Sequence, residues 1–86
     1  MTIQIQGTPA DVTETIRTCI LEAIPGADVT VGSGGPGHFE IRVVSGAFAD
    51  KNRVQQQQLV YGAIAHLMSG ADAPVHAIDR MECVAG

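Results

Sequence analysis

Three histidines, His38, His66 and His76, and two cysteines, Cys19 and Cys83, are the side chains of this chain best suited to metal or proton chemistry. Neutral imidazole and thiolate are common ligands of zinc, copper and iron, and imidazole also titrates near neutral pH. Spacing then sorts these residues. None of them pairs at a zinc-finger interval, and Cys83 forms no recognised metal motif with His76. His38 follows the glycine-rich run GSGGPG and opens the alternating stretch HFEIRVV. It is therefore either a hairpin residue in water or part of a metal or partner site. His76, within PVHAIDR, is either a half-buried strand residue donating a hydrogen bond or a ligand. Residue type by itself favours the structural role for both.

The other reactive side chains have simpler readings. His66 sits beside Leu67 on a helical stretch and reads as a surface or helix-flank residue. Cys19 falls on an apolar helical stripe, where an unpaired cysteine serves as a small core hydrophobe. Cys83 lies within residues 82–86, expected to fray, where a thiol is open to reaction. The loop GSGGPG contains a GxxG pattern, but a nucleic-acid clamp of that kind joins two helices with basic flanks. This one joins two strands, with no Lys or Arg beside it, and its glycines serve flexibility and close approach. Ser33 and Ser45 have no evident base, and Glu40 reads as a solvent-facing carboxylate, so an enzyme is not expected.

These residues depend on a small set of elements. Thr8-Pro9-Ala10-Asp11 reads as a helix start, with Thr as N-cap and Pro in the first turn. Val12, Ile16, Cys19, Ile20, Ala23 and Ile24 recur at spacings of three and four until Pro25-Gly26 ends the run. Residues 1–7 are expected to form a flexible N-terminus. A strand follows from Ala27 to Val31, and a second from His38 to Ser45, where Phe39, Ile41 and Val43 alternate with polar residues. Phe48 is expected to fold back as an apolar plug. Asp50 or Asn52 caps a second helix whose apolar face runs from Val54 to Met68, ending at Gly70. Its Gln55–Gln58 run reads as a solvated or partner-facing side. A third strand lies between Pro74 and Val84, with Val75 and Ala77 on one face and His76 and Ile78 on the other.

The order α-β-β-α-β predicts an α+β domain, a three-stranded mixed sheet with both helices on one face. The first two strands, joined by a short loop, are antiparallel. A crossover helix makes the third parallel to the second, through a right-handed connection. In that arrangement the beginnings of strands two and three are neighbours about 4.8 Å apart.

Composition sets the outer limits. The 86 residues suffice for one domain, residues 1–86, with a single core and no spacious enclosed active site. Apolar residues make up 45% and charged residues 16%, a globular balance. Nine acidic residues against five basic ones give a charge of −4, which argues against a broad phosphate-binding surface. Two cysteines without short spacing, and no leader-like start, point to a reducing cytoplasmic setting. The apolar runs are far too short to span a membrane.

Three separated motifs, GHFEIRVVSGAF, RVQQQQLVYGAI and VHAIDR, resemble the BolA family in order and spacing, most closely its short IbaG-like branch. The resemblance runs from about Thr8 to Arg80. It implies a fold similar to a type II KH domain. It also implies partnership with a monothiol glutaredoxin, sharing a [2Fe–2S] cluster in iron–sulfur trafficking or in iron, redox and stress regulation. By resemblance, His76 of the VHA motif is a cluster ligand. The second ligand comes from the loop between the first two strands, where His38 is the strong donor. Thiolates of glutaredoxin and glutathione would complete the set. Such mixed ligation resembles Rieske centres, raising the potential and making binding proton-sensitive.

Arg53, Tyr61 and Arg80 are the expected partner-binding residues, although the stretch from Arg53 to Tyr61 serves equally well as core. Some family members are described as DNA-binding regulators, and that is the alternative reading here. Gln56, Gln57 and Gln58 stand where many relatives carry Arg-His-Arg. Many also continue past the third strand into a TPEEW-like segment and a last helix, whereas this sequence ends at MECVAG. Both departures weaken the DNA-binding side of the resemblance. A homodimer through an exposed sheet edge is a third possibility.

Overall fold

A computed structural model describes residues 9–70 and 72–86. The expected Thr8 cap and the expected flexible segment 1–7 lie outside them. Helix α1 spans Pro9–Ala23. Val12, Ile16, Ile20 and Ile24 recur every fourth residue and are buried in a line along it. The helix ends as the Ile24 N–H donates to the Ile20 carbonyl at 2.8 Å and Gly26 takes a φ of +82°.

Strand β1 spans Asp28–Gly35, and β2 spans His38–Ser45 in antiparallel register with it. The first strand is four residues longer at its end than the expected stop at Val31, because GSGG continues the ladder. Gly32 pairs with Glu40, Ser33 with Phe39 and Gly35 with His38. Strand pairing is made by backbone groups, so a run without side chains can still pair once its partner is held by a core. The loop shrinks to Pro36-Gly37. Its positive φ of +76° at Gly37 follows the residue preference of a type II turn.

In β2, Phe39, Ile41 and Val43 are buried while His38, Glu40 and Arg42 are exposed. One face of the sheet is therefore covered and the other open. The short 3-10 helix η1, Gly46–Phe48, is capped by the Ser45 hydroxyl, which accepts from the Ala47 N–H at 3.0 Å. It delivers Phe48 into the core with no exposure.

Helix α2 spans Arg53–Met68. Asn52 caps it reciprocally with Gln55: Asn52 Oδ1 accepts from the Gln55 N–H at 2.9 Å, and Gln55 Oε1 accepts from the Asn52 N–H at 3.0 Å. The Gln56 side-chain amide donates to the carbonyls of Lys51 and Phe48, at 2.9 and 3.1 Å. Gln56 thus fastens η1 to α2 and Gln55 completes the cap, while the side expected to be solvated or partner-facing keeps Gln55 and Gln58 exposed.

Strand β3 spans Ala77–Ala85 and runs parallel to β2, giving the sheet order β1-β2-β3. It begins three residues later than Pro74. Val75 is buried, but its N–H donates to the Leu67 carbonyl at 3.1 Å, tying this segment to the end of α2 rather than to the sheet. The expected alternation of Val75 and His76 across a strand therefore does not apply. A bulge follows, since Phe39 pairs with Ile78 but Glu40 pairs with Arg80, leaving Asp79 as the extra residue. The end of the strand corrects the expectation of fraying. Cys83, Val84 and Ala85 pair with Val43, Val44 and Ser45, and the Gly86 N–H donates to the Ser45 carbonyl at 3.2 Å. The outcome is the expected α-β-β-α-β domain, whose two helices and inward sheet face share one core.

Candidate metal-ligand site and partner groove

The parallel register sets His38 opposite Ala77, so the first residue of β2 and the residue before β3 meet beside the Pro36-Gly37 turn. Both histidines are exposed. The Gly37 carbonyl accepts from two successive N–H groups, His76 at 2.8 Å and Ala77 at 3.0 Å. A methyl group built on Gly37 would fall 2.5 Å from Nδ1 and 2.7 Å from Cγ of the His76 ring. The imidazole therefore rests directly on Gly37, which must be glycine for its positive φ and again for this contact.

His38 is held differently. Its Nδ1 lies 3.1 Å from Oδ1 of Asp79, and both side chains are about half exposed. A carboxylate only accepts hydrogen bonds, so this contact calls for a proton on Nδ1, and in a neutral ring that arrangement leaves the lone pair on Nε2. The sequence reading missed Asp79 although it stands inside the VHAIDR motif, because the bulge that aims it has no sequence signature.

Among the described residues, no three His, Cys, Asp or Glu side chains gather as a metal-binding group. A metal centre at this corner would draw two imidazoles from this chain and the remainder from a partner. Two exposed histidines at adjacent strand ends are the type of donor that replaces thiolate on one iron of a mixed-ligand [2Fe–2S] centre.

The expected partner residues divide. Arg53, at the start of α2, and Arg80, in β3, line one shallow groove of about 280 Å³ along with Gln57, Glu82 and Cys83. Tyr61 lies outside it, 38% exposed further along α2, on a helix that also exposes Val54. Cys83 is a partly buried residue packed on the core, and burial pushes its thiol up from the ordinary range.

His66 is exposed, as expected, but it has a neighbour that the sequence reading did not foresee. Its Nε2 lies 3.6 Å from the Sγ of Cys19 across the α1–α2 seam. Burial first, and the Glu22 carboxylate second, raise the Cys19 thiol's pKa.

Comparison with known proteins places this architecture. Solved structures similar to the chain include the crystal structure of a Bol-like protein from Babesia bovis, at 29% identity and a TM-score of 0.64, covering 84% of this chain and 81% of that one. BolA1 from Arabidopsis thaliana aligns at 18% identity and a TM-score of 0.69, over 84% of this chain and 89% of that one. The solution structure of BolA1 from Mus musculus aligns at 24% identity and a TM-score of 0.64, over 96% and 72%. No curated protein matches the chain. The family profile described as BolA-like protein matches residues 21–83, a span that takes in β1, β2, α2, most of β3 and both strand-mouth histidines. The chain belongs to the BolA-like family.

Proposed function

We propose that this domain is the partner of a monothiol glutaredoxin and shares a [2Fe–2S] cluster with it, in iron–sulfur trafficking or iron-dependent redox and stress regulation. The observation that carries this reading is the meeting of His38 and His76 at neighbouring ends of the parallel pair, both exposed beside one glycine turn. His76 and His38 are the ligands from this chain, and glutaredoxin and glutathione supply thiolates. The cluster is cargo held jointly, and a reducing cytoplasmic compartment suits the free thiols of Cys19 and Cys83. Among the described residues no helix is long and apolar enough to cross a membrane. Arg53 and Arg80, together with Glu82, form the charged part of the docking groove, and Tyr61, exposed further along α2 and outside the groove, is a separate partner contact.

A nucleic-acid-binding regulator is the rival reading, and the charges support it less. Arg17, Arg42 and Lys51 each stand within 3.8 Å of a carboxylate, which leaves little basic surface to neutralise phosphates.

Anaerobic reconstitution with a monothiol glutaredoxin, glutathione, iron and sulfide tests the proposal, followed by visible absorption and circular dichroism. A heterodimer spectrum lost in His76→Ala and altered in His38→Ala is expected. A spectrum identical to that of glutaredoxin alone would discard the cluster role. A mobility shift at low salt that vanishes as salt rises would then favour the rival.

A further inference from the structure

The strand-mouth corner contains a device beyond the two imidazoles. Without the bulge in β3, Asp79 would stand opposite Glu40, two like charges on the open face of the sheet. With it, Arg80 takes that place, Arg42 meets Glu82 at 3.2 Å, and Met81 and Cys83 turn to the core. A one-residue slip in a strand inverts every later side chain, so the bulge sets the facing of the rest of β3. It also releases Asp79 from the ladder and aims it back at His38.

The other carboxylate oxygen lies over Gly34. A methyl group built on Gly34 would lie 3.4 Å from Asp79 Oδ2. Gly34 is itself the unpaired residue where the β1–β2 register shifts, between Ser33 and Gly35. Two irregularities, one in each outer strand, thus flank the first residue of the central strand. As an ion pair this half-exposed contact contributes little to stability. Its geometry is informative for another reason. A carboxylate on one ring nitrogen fixes tautomer and orientation, and leaves the other nitrogen as the donor. That is the usual outer support of a metal-bound histidine.

We propose that Asp79 is a positioning residue for His38, holding the Nδ1–H tautomer so that Nε2 is the nitrogen offered to the metal. This rests on the cluster-sharing reading for its purpose, but its first test does not. Imidazole nitrogen NMR on the metal-free protein, recorded along a pH series in which the neutral form is identified by its own nitrogen shifts, reads the tautomer directly. Wild type should show His38 protonated at Nδ1. Asp79→Ala should move it toward Nε2–H, and Asp79→Asn, which retains an acceptor oxygen, should restore the wild-type pattern. His76 serves as the internal control and should not change.

Titration of the reconstituted heterodimer by circular dichroism gives the second readout. Asp79→Ala should weaken cluster retention about 10-fold, within the range seen for outer-shell partners. The effect should disappear in a His38→Ala background. An unchanged His38 tautomer in Asp79→Ala would overturn the positioning role whatever the cluster does. A changed tautomer in a protein that forms no cluster with glutaredoxin would keep the coupling and discard the function. Equal losses from Asp79→Ala with and without His38 would show a structural contribution only, and would also overturn the proposal.

Discussion

Two histidine corners of this domain share a simple plan, one imidazole and one polar neighbour, yet they are built differently. His38 and Asp79 meet where three strands come together, and each side chain is aimed by a backbone irregularity or a strand end. Cys19 and His66 meet across two helices, where only side-chain packing brings them within 3.6 Å. The neighbour's chemistry differs too. A carboxylate accepts a proton bond and sets the tautomer, whereas a thiol kept protonated by burial and by Glu22 is a weak donor with no such command. Backbone-aimed pairs are suited to holding a ligand, and side-chain pairs to filling a seam.

The most severe way to break the first corner is to shift the register beyond the bulge rather than to remove the carboxylate. Inserting one alanine between Arg80 and Met81 would bring Met81 opposite Arg42 on the open face and Glu82 opposite Val43 on the core side. A loss of about 4 kcal/mol or more, or failure to fold, is expected in urea unfolding. Deleting Asp79 removes the bulge but leaves Arg80 opposite Glu40 and Met81 opposite Ile41, and should cost far less. Asp79→Ala keeps the residue count and should cost under about 1 kcal/mol. Equal losses from the insertion and Asp79→Ala would mean that the side chain, and not the register, sustains the strand.

Gly37 ranks next. Gly37→Ala combines a left-handed backbone with a collision against the His76 ring and should cost about 2–3 kcal/mol. Under the proposed function it should also disturb cluster binding, the same outcome expected of His76→Ala. Gly26→Ala has a similar φ, +82°, but open space around it, and should cost only about 1 kcal/mol. A Gly37 variant no worse than the Gly26 variant would remove the argument that the turn glycine is fitted to the imidazole.

The contrast between the corners also explains what could be read from sequence. The alternation of β2, the Asn52 cap, the Pro25-Gly26 stop and the parallel return of β3 are written in local residue types, and with them the adjacency of His38 and His76. The unforeseen features all depend on partners distant in the chain. GSGG extends β1 because β2 is anchored by Phe39, Ile41 and Val43, not because glycine favours strands. Asp79 bulges because the later side chains of β3 must face the core and the open face correctly. Cys19 finds His66 forty-seven residues away because two apolar stripes pack. Expectation of a frayed end at residues 82–86 failed for the same reason, since β2 supplies the pairing that the tail's own composition does not reveal.

The smallest effect concerns the seam, and it tests whether His66 has any hold on the thiol. The Cys19 thiol is raised by burial and by the Glu22 carboxylate, and Cys83 by burial. A raised thiol means that the folded state binds its proton more tightly than the unfolded chain does. Its contribution to stability is fully present below the ordinary thiol pKa and is lost as pH rises through the folded-state value. Thermal unfolding should therefore show a shallow decline in the alkaline range, reduced in Cys19→Ala and Cys83→Ala. At neutral pH both thiols should react with an aromatic disulfide more slowly than a free cysteine does. Glu22→Gln should speed Cys19 by about twofold, the scale of one screened surface charge, and His66→Ala should leave it within that margin. A much larger change on removing His66 would show that the imidazole acts on the thiol after all. The helix seam would then hold a reactive pair aimed by side-chain packing alone rather than a filled gap.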